Sequence, residues 1–160
     1  MEVQRTFVAI KPDGVQRAIV GDVISRFEKV GLKIVGMKLF HVDKDFAQKH
    51  YSDHLEKPFY KLLENYITSG PVVALVLEGI NAIDIVRKIV GGTAPSKAEP
   101  GTIRGDYAHM NFARGDNHEL GIVNIIHASD SPENAEKEIH LWFSESEIFD
   151  KYETVHAKVM

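Results

Sequence analysis

Val123-Asn124-Ile125-Ile126-His127-Ala128-Ser129-Asp130-Ser131-Pro132-Glu133 carries an apolar run onto a histidine and then into a helix start. Branched apolar residues favour a strand. Ser131 suits an N-cap and Pro132 the first helical position. The expected elements are a strand from Gly121 to Ile126 and a helix with Ala135, Ile139, Trp142 and Phe143 on its inner face. His127 then stands at the rim of a sheet, where an imidazole is open to chemistry and poorly placed for packing.

Working outward, Thr6-Phe7-Val8-Ala9-Ile10 is a buried strand that stops at Lys11-Pro12-Asp13-Gly14, a sequence suited to a tight turn. Val23, Ile24, Phe27 and Val30 mark the inner face of a helix around Asp22 to Val30, with Gly31 as its C-cap. Lys33 to Phe40 is a second strand. Gly31 and Gly36 have P-loop spacing, but Met37-Lys38 follows and Gly36 lies inside an apolar run, so a P-loop is rejected. Asp43 caps a short helix towards His50 and Tyr51. Lys57-Pro58-Phe59 starts another, with Leu62, Leu63, Tyr66 and Ile67 in its stripe. Val72 to Leu77 is a central strand. Asn81 can cap the next helix, which Gly91-Gly92 ends. From Gly91 to about Leu120 no periodicity stands out, and a loop of that length in a compact domain is usually functional or disordered. Asp150 to Met160 is a polar tail. The strong elements run β-α-β-β-α-β, which predicts an α+β, ferredoxin-like sandwich. Its sheet would have four antiparallel strands with added helices, in a single domain spanning residues 1–160.

The chain has 160 residues, 44% apolar and 26% charged, and a net charge of −4. That composition is globular, and its sign disfavours a general nucleic-acid binder. With no cysteine, disulfides and thiolate zinc sites are excluded. No apolar run is long enough to span a bilayer, and the expected location is the cytoplasm.

Several residues can carry chemistry, each beside a plainer reading. His127 can act as a nucleophile or a general base, since free histidine is neutral in part near pH 7. A nucleophilic nitrogen needs the other ring nitrogen held by an acceptor, and Glu138 or Asp130 is near enough in the chain. Lys11 can point into a cleft or be an ordinary turn lysine. Phe59 can pack in the core or face a cleft. Arg104, between Gly101 and Gly105, can approach a phosphate or be surface charge; Arg87 can simply complement a helix end. His50 and His54 have a metal-binding spacing without an evident third ligand, so exposed polar residues are the expectation. No nucleophile-elbow serine is present. A histidine among cations suits a phosphoryl group.

These residues, with their neighbours, resemble the nucleoside diphosphate kinases from Thr6 to Trp142. The matching stretches include Arg5 to Arg17, His50-Tyr51, Lys57-Pro58-Phe59, Ser69 to Ala74, Pro100 to Asp106 and Asn124 to Ser131. The resemblance implies transfer of the γ-phosphoryl of a nucleoside triphosphate, mainly ATP, to a nucleoside diphosphate. The mechanism would be ping-pong through a phosphohistidine at His127, with Glu138 orienting it and Ser129 nearby. It implies nucleotide binding by Lys11, Tyr51, Phe59, Arg87, Thr93, Arg104 and Asn124. It also implies Mg²⁺ carried by the nucleotide phosphates with no protein metal site, and a homo-oligomer, hexamer or tetramer, that needs neither membrane nor nucleic acid. The alternative is a catalytically silent nucleotide-binding or scaffold module of the same fold. The chain departs from the family's usual pattern in a longer Tyr107 to Leu120 segment, in Val123 before Asn124, and in Ala128 after the histidine.

Overall fold

The computed structural model describes residues 2–109 and 123–156. Strand β1 (Val3–Ile10) leads through a short helix α1 (Pro12–Gln16) to α2 (Val20–Glu28) and then to β2 (Lys33–His41). Helices α3 (Lys44–His50) and α4 (Tyr60–Ile67) form an excursion before β3 (Pro71–Ile80). Then come α5 (Ala82–Val90), α6 (Ile103–Tyr107), β4 (Ile126–Ala128) and α7 (Pro132–Trp142). The sheet order is β2-β3-β1-β4, and every pairing is antiparallel. This is the ferredoxin-like α+β sandwich, with α3 and α4 added between β2 and β3.

Both faces of the central strands are covered, which is why β1 and β3 read as continuous apolar runs. Alternation sorts their side chains. Val8 and Ile10 join Leu75 and Leu77 against Val23 and Phe27 of α2 and Val86 of α5. Phe7 and Ala9 join Val72, Ala74 and Val76 on the other face, against Ala47 of α3 and Trp142 of α7. The sheet therefore holds two apolar layers, and the site lies where β1 ends beside the start of β4.

Several local expectations change. Pro12-Asp13-Gly14 opens α1 and is not an isolated turn, since proline at a first helical position costs no hydrogen bond. Helix α2 begins at Val20 and ends at Glu28. Gly31 at φ +84 closes it, with Gly31 N–H bonded to Glu28 O and Leu32 N–H to Phe27 O. That early end leaves Val30 exposed, not inward. Asp43 caps α3 by accepting from Phe46 N–H. Asn81 precedes α5 but makes no side-chain cap bond, its backbone being left-handed at φ +51. The segment after Gly91 is not structureless: it holds a 3-10 turn (Pro95–Lys97) and α6, capped by Thr102. Of the expected strand Gly121 to Ile126, the first two residues lie outside the described ones and residues 123–125 are not strand; β4 runs from Ile126 to Ala128, so His127 lies within it. Of the expected long segment Tyr107 to Leu120, and of the tail end, residues 110–122 and 157–160 lie outside the described residues. The described tail packs on its own sheet: Phe149 N–H bonds Val35 O at 2.6 Å, and Tyr152 O–H bonds Ile34 O at 2.5 Å.

Phe27 has no solvent exposure and fills the space between α2 and the sheet. Phe27→Ala is expected to lower unfolding free energy by about 3–5 kcal/mol, measured by urea denaturation.

Candidate active site

Helix α1 starts directly after β1, so Lys11 is held at the strand end with little exposure. Its Nζ donates to Asn124 Oδ1 at 2.8 Å, and Asn124 Nδ2 donates to Thr93 O at 3.0 Å. Arg104 enters from α6, also buried, and its guanidinium is taken up by carbonyl oxygens. Nε reaches Asn124 O at 3.3 Å, Nη1 reaches Gly91 O at 3.1 Å and Nη2 reaches Ile126 O at 2.6 Å. A turn lysine and a surface arginine are thus ruled out at these two positions.

Burial sets their acidity. The Lys11 amine is pushed down to about 7, chiefly by loss of water and then by Arg104, with Asp13 opposing. The Arg104 guanidinium is lowered to about 10 by burial and then by Arg87.

His127 projects from β4 opposite Ala9 of β1. Its Nε2 lies 2.7 Å from Glu138 Oε1 of α7, and the other oxygen of that carboxylate accepts from Ser129 Oγ at 2.5 Å. Ser129 is tied to β1 in turn, its N–H donating to Phe7 O at 3.1 Å. Of the two carboxylates considered, Glu138 is the one that bonds the ring; Asp130 accepts from Asn134 Nδ2 instead. A carboxylate only accepts, so Nε2 carries the hydrogen and the neutral ring keeps its lone pair on Nδ1. The edge of His50 meets the His127 ring, with centroids 4.9 Å apart and planes at 84°. His50 Nδ1 accepts from Trp142 Nε1–H at 3.2 Å. Burial, then His127 and Lys11, hold His50 well below the usual histidine range, so it stays neutral.

These groups surround a cleft of about 530 Å³. Lys11, Tyr51, Phe59, Arg87, Thr93, Arg104, Asn124, His127 and Glu138 all line it. Ser129 lies behind it, against Glu138. Phe59 is 46% exposed, at the residue that precedes α4, and so is a cleft aromatic and not core. The sequence reading passed over other lining residues. His50 and His54 are not plain exposed polar groups: both line the cleft, and His54 Nδ1 is buried with no hydrogen-bond partner among the described residues. Lys49 and Lys137 add positive charge at its wall. The His50 signal lay in its neighbour Tyr51, whose side chain is buried beside it. Lys137 sits one position before Glu138 on α7 and gives no separate pattern.

A sheet end that gathers a carboxylate-bonded histidine and several cations around one cleft defines an enzyme of the phosphotransferase class. A family model described as nucleoside diphosphate kinase matches residues 4–148. A nucleoside diphosphate kinase of Pyrococcus abyssi is 56% identical over 150 residues, covering 93% of this chain and 89% of that one. One from Staphylococcus epidermidis is 54% identical, covering 92% and 93%. The enzyme of Borrelia burgdorferi, solved as a transition state mimic with vanadate and ADP, superposes with a TM-score of 0.92 at 40% identity, covering 98% and 96%. That of Halobacterium salinarum, solved with CDP, gives 0.88 at 43% identity, covering 99% of both chains. The chain belongs to the nucleoside diphosphate kinase family.

The buried Lys11 amine has a signature in pH. Its folded value near 7 lies below the ordinary 10.5, so between these values the unfolded chain binds more protons. The burial penalty is therefore full below about pH 7 and is relieved as pH rises through that window. The stability of wild type relative to Lys11→Met should rise from pH 7 to pH 10 in urea unfolding series, and a flat difference contradicts the assignment.

Proposed function

We propose that His127 Nδ1 is the phosphoryl acceptor in this nucleoside diphosphate kinase. The observation that carries the reading is the Nε2–Glu138 bond, which leaves Nδ1 as the nucleophilic nitrogen of a ring that lines a cationic cleft. A nucleoside triphosphate, mainly ATP, enters with its phosphates towards Lys11, Arg87 and Arg104. Nδ1 attacks the γ-phosphorus, the N–P bond forms, and the bond to the bridging oxygen breaks. The diphosphate leaves with that electron pair. The positive charge that develops on the ring is met by Glu138, and Ser129 holds the carboxylate in place. A second diphosphate then takes the phosphoryl group through its terminal oxygen and frees His127. Donor and acceptor use one site in turn, which is ping-pong kinetics.

The other roles follow from chemistry. Phosphoryl transfer depends on positioning and charge neutralisation, which three cations supply. Tyr51, Thr93 and Asn124 offer hydrogen bonds to phosphates and sugar. Phe59 presents an exposed ring on which any base can stack, giving broad nucleotide use. Among the described residues, the one group of three close metal-type donors is His50, His127 and Glu138. Two of those are nitrogens, whereas Mg²⁺ takes oxygens, so the phosphates are the better ligands for the ion. Bound there, Mg²⁺ would neutralise phosphate charge.

The same reading makes the protein one cytoplasmic domain, where nucleoside triphosphates are supplied, and a homo-oligomer, tetramer or hexamer. Support for assembly comes from β2, an edge strand that exposes Met37 and Leu39.

His127→Gln should bind ADP within about threefold of wild type yet take no label from γ-labelled ATP. Labelling at the wild-type rate overturns the assignment. Leu39→Asp should shift the mass found by light scattering to a smaller species, and an unchanged mass removes β2 from the interface.

A further inference from the structure

Ile125 adopts φ +70, is fully buried and is β-branched, and it stands two residues before His127. A branched side chain in the left-handed region is strained, and such strain persists only where the surroundings over-determine it. Here they do. Ile125 N–H donates to Asp13 Oδ2 at 3.1 Å, and its carbonyl accepts from Lys11 N–H at 2.7 Å. The preceding amide, Asn124 N–H, donates to Tyr66 Oη at 3.3 Å. Tyr66 in turn donates its hydroxyl hydrogen to Asp13 Oδ1. One carboxylate and one phenol thus close a ring around two successive amides. Helix α1 sits flush on this turn: a Cβ at Gly14 would fall 3.2 Å from Ile125 Cγ2 and 3.3 Å from its carbonyl oxygen.

The strand that follows cannot hold itself. It has three residues and pairs with β1 alone, at Ile10 with Ile126, Ala9 with His127 and Val8 with Ala128. The position of the His127 backbone therefore depends on the turn that feeds it. Asp13 and Tyr66 stand behind the residues that line the cleft, with the centre of the Tyr66 ring 5.1 Å from Lys11 Nζ. The side chain of Asn124 is bonded separately, to Lys11 and to the Thr93 carbonyl.

We propose that Asp13 and Tyr66 are positioning residues that lock the Asn124–Ile125 turn in its left-handed form and so aim His127 for in-line attack. This rests on His127 being the phosphoryl acceptor. Released from the lock, Ile125 relaxes towards negative φ and the histidine is carried out of line, while Tyr51, Phe59 and Arg87, which belong to other elements, stay in place.

Tyr66→Phe deletes one oxygen and tests this. In single-turnover labelling from γ-labelled ATP, the rate per folded subunit should fall about tenfold or more, since small misplacements slow attack strongly. The dissociation constant for ADP should stay within about twofold. Glycine takes positive φ without strain, so an Ile125→Gly background should shrink the effect of Tyr66→Phe on that rate to about twofold, even though the cavity it opens lowers stability. Asp13→Asn combined with Tyr66→Phe should be no slower than the slower single variant, as for parts of one unit. A Tyr66→Phe protein with a lower melting temperature and a wild-type labelling rate overturns the proposal, because the pair is then only structural. An equal loss in both backgrounds also overturns it. Wild-type protein that takes no label on His127 refutes instead the acceptor assignment beneath it.

Discussion

Two buried cations that, among the described residues, hydrogen-bond no carboxylate govern this cleft. Lys11 bonds an amide oxygen and Arg104 bonds three backbone carbonyls. Removing charge from water is costly unless it is paired, and neutral oxygens make up only part of what is lost. The chain thus keeps an unbalanced positive field at the end of its sheet, and a polyanion is the ligand that balances it. The lowered pKa of Lys11 records the same tension. Proteins often hold their functional groups at some expense in stability, and the expense here is a buried amine.

The histidine belongs to a different economy. It is held from three sides by neutral or negative groups: Glu138 on Nε2, the neutral edge of His50, and the aromatic face of Phe7 at 5.9 Å. None of these three adds positive charge beside the ring. The phosphate field and the nucleophile come from opposite ends of the chain: Lys11 follows β1, while Glu138 lies on α7. They meet because β4 pairs beside β1 and α7 packs back across it.

Local chemistry was readable where it was written locally. Ser131-Pro132 announces α7 and Asp43 announces α3, and both cap as their residue types require. Phe7 and Val8 fall on opposite layers, as the period of a strand demands. Lys11 was ambiguous because its partner Asn124 is 113 residues away. Phe59 was ambiguous for a different reason: an aromatic at a helix entrance can turn either way, and only the packing of α4 settles it. His50 was misjudged because its spacing to His54 suggested a pair, whereas its real neighbours, Trp142 and His127, come from distant elements. Pro12-Asp13-Gly14 fits a turn and a helix start equally well, and Asp13 reveals its bonds to Ile125 and Tyr66 only in three dimensions. The family resemblance brought these scattered residues together before geometry did.

The described tail also changes what the sheet can join. Phe149 spans to the carbonyl of Val35 at the β2 bulge, so the chain itself occupies part of that edge. At the opposite edge, β4 is three residues long and Arg104 covers the carbonyl of Ile126. Among the described residues, the half-edge around Met37 and Leu39 is exposed. A twofold contact through it would be self-complementary and would use itself up, since two copies would satisfy each other and leave no strand there to extend.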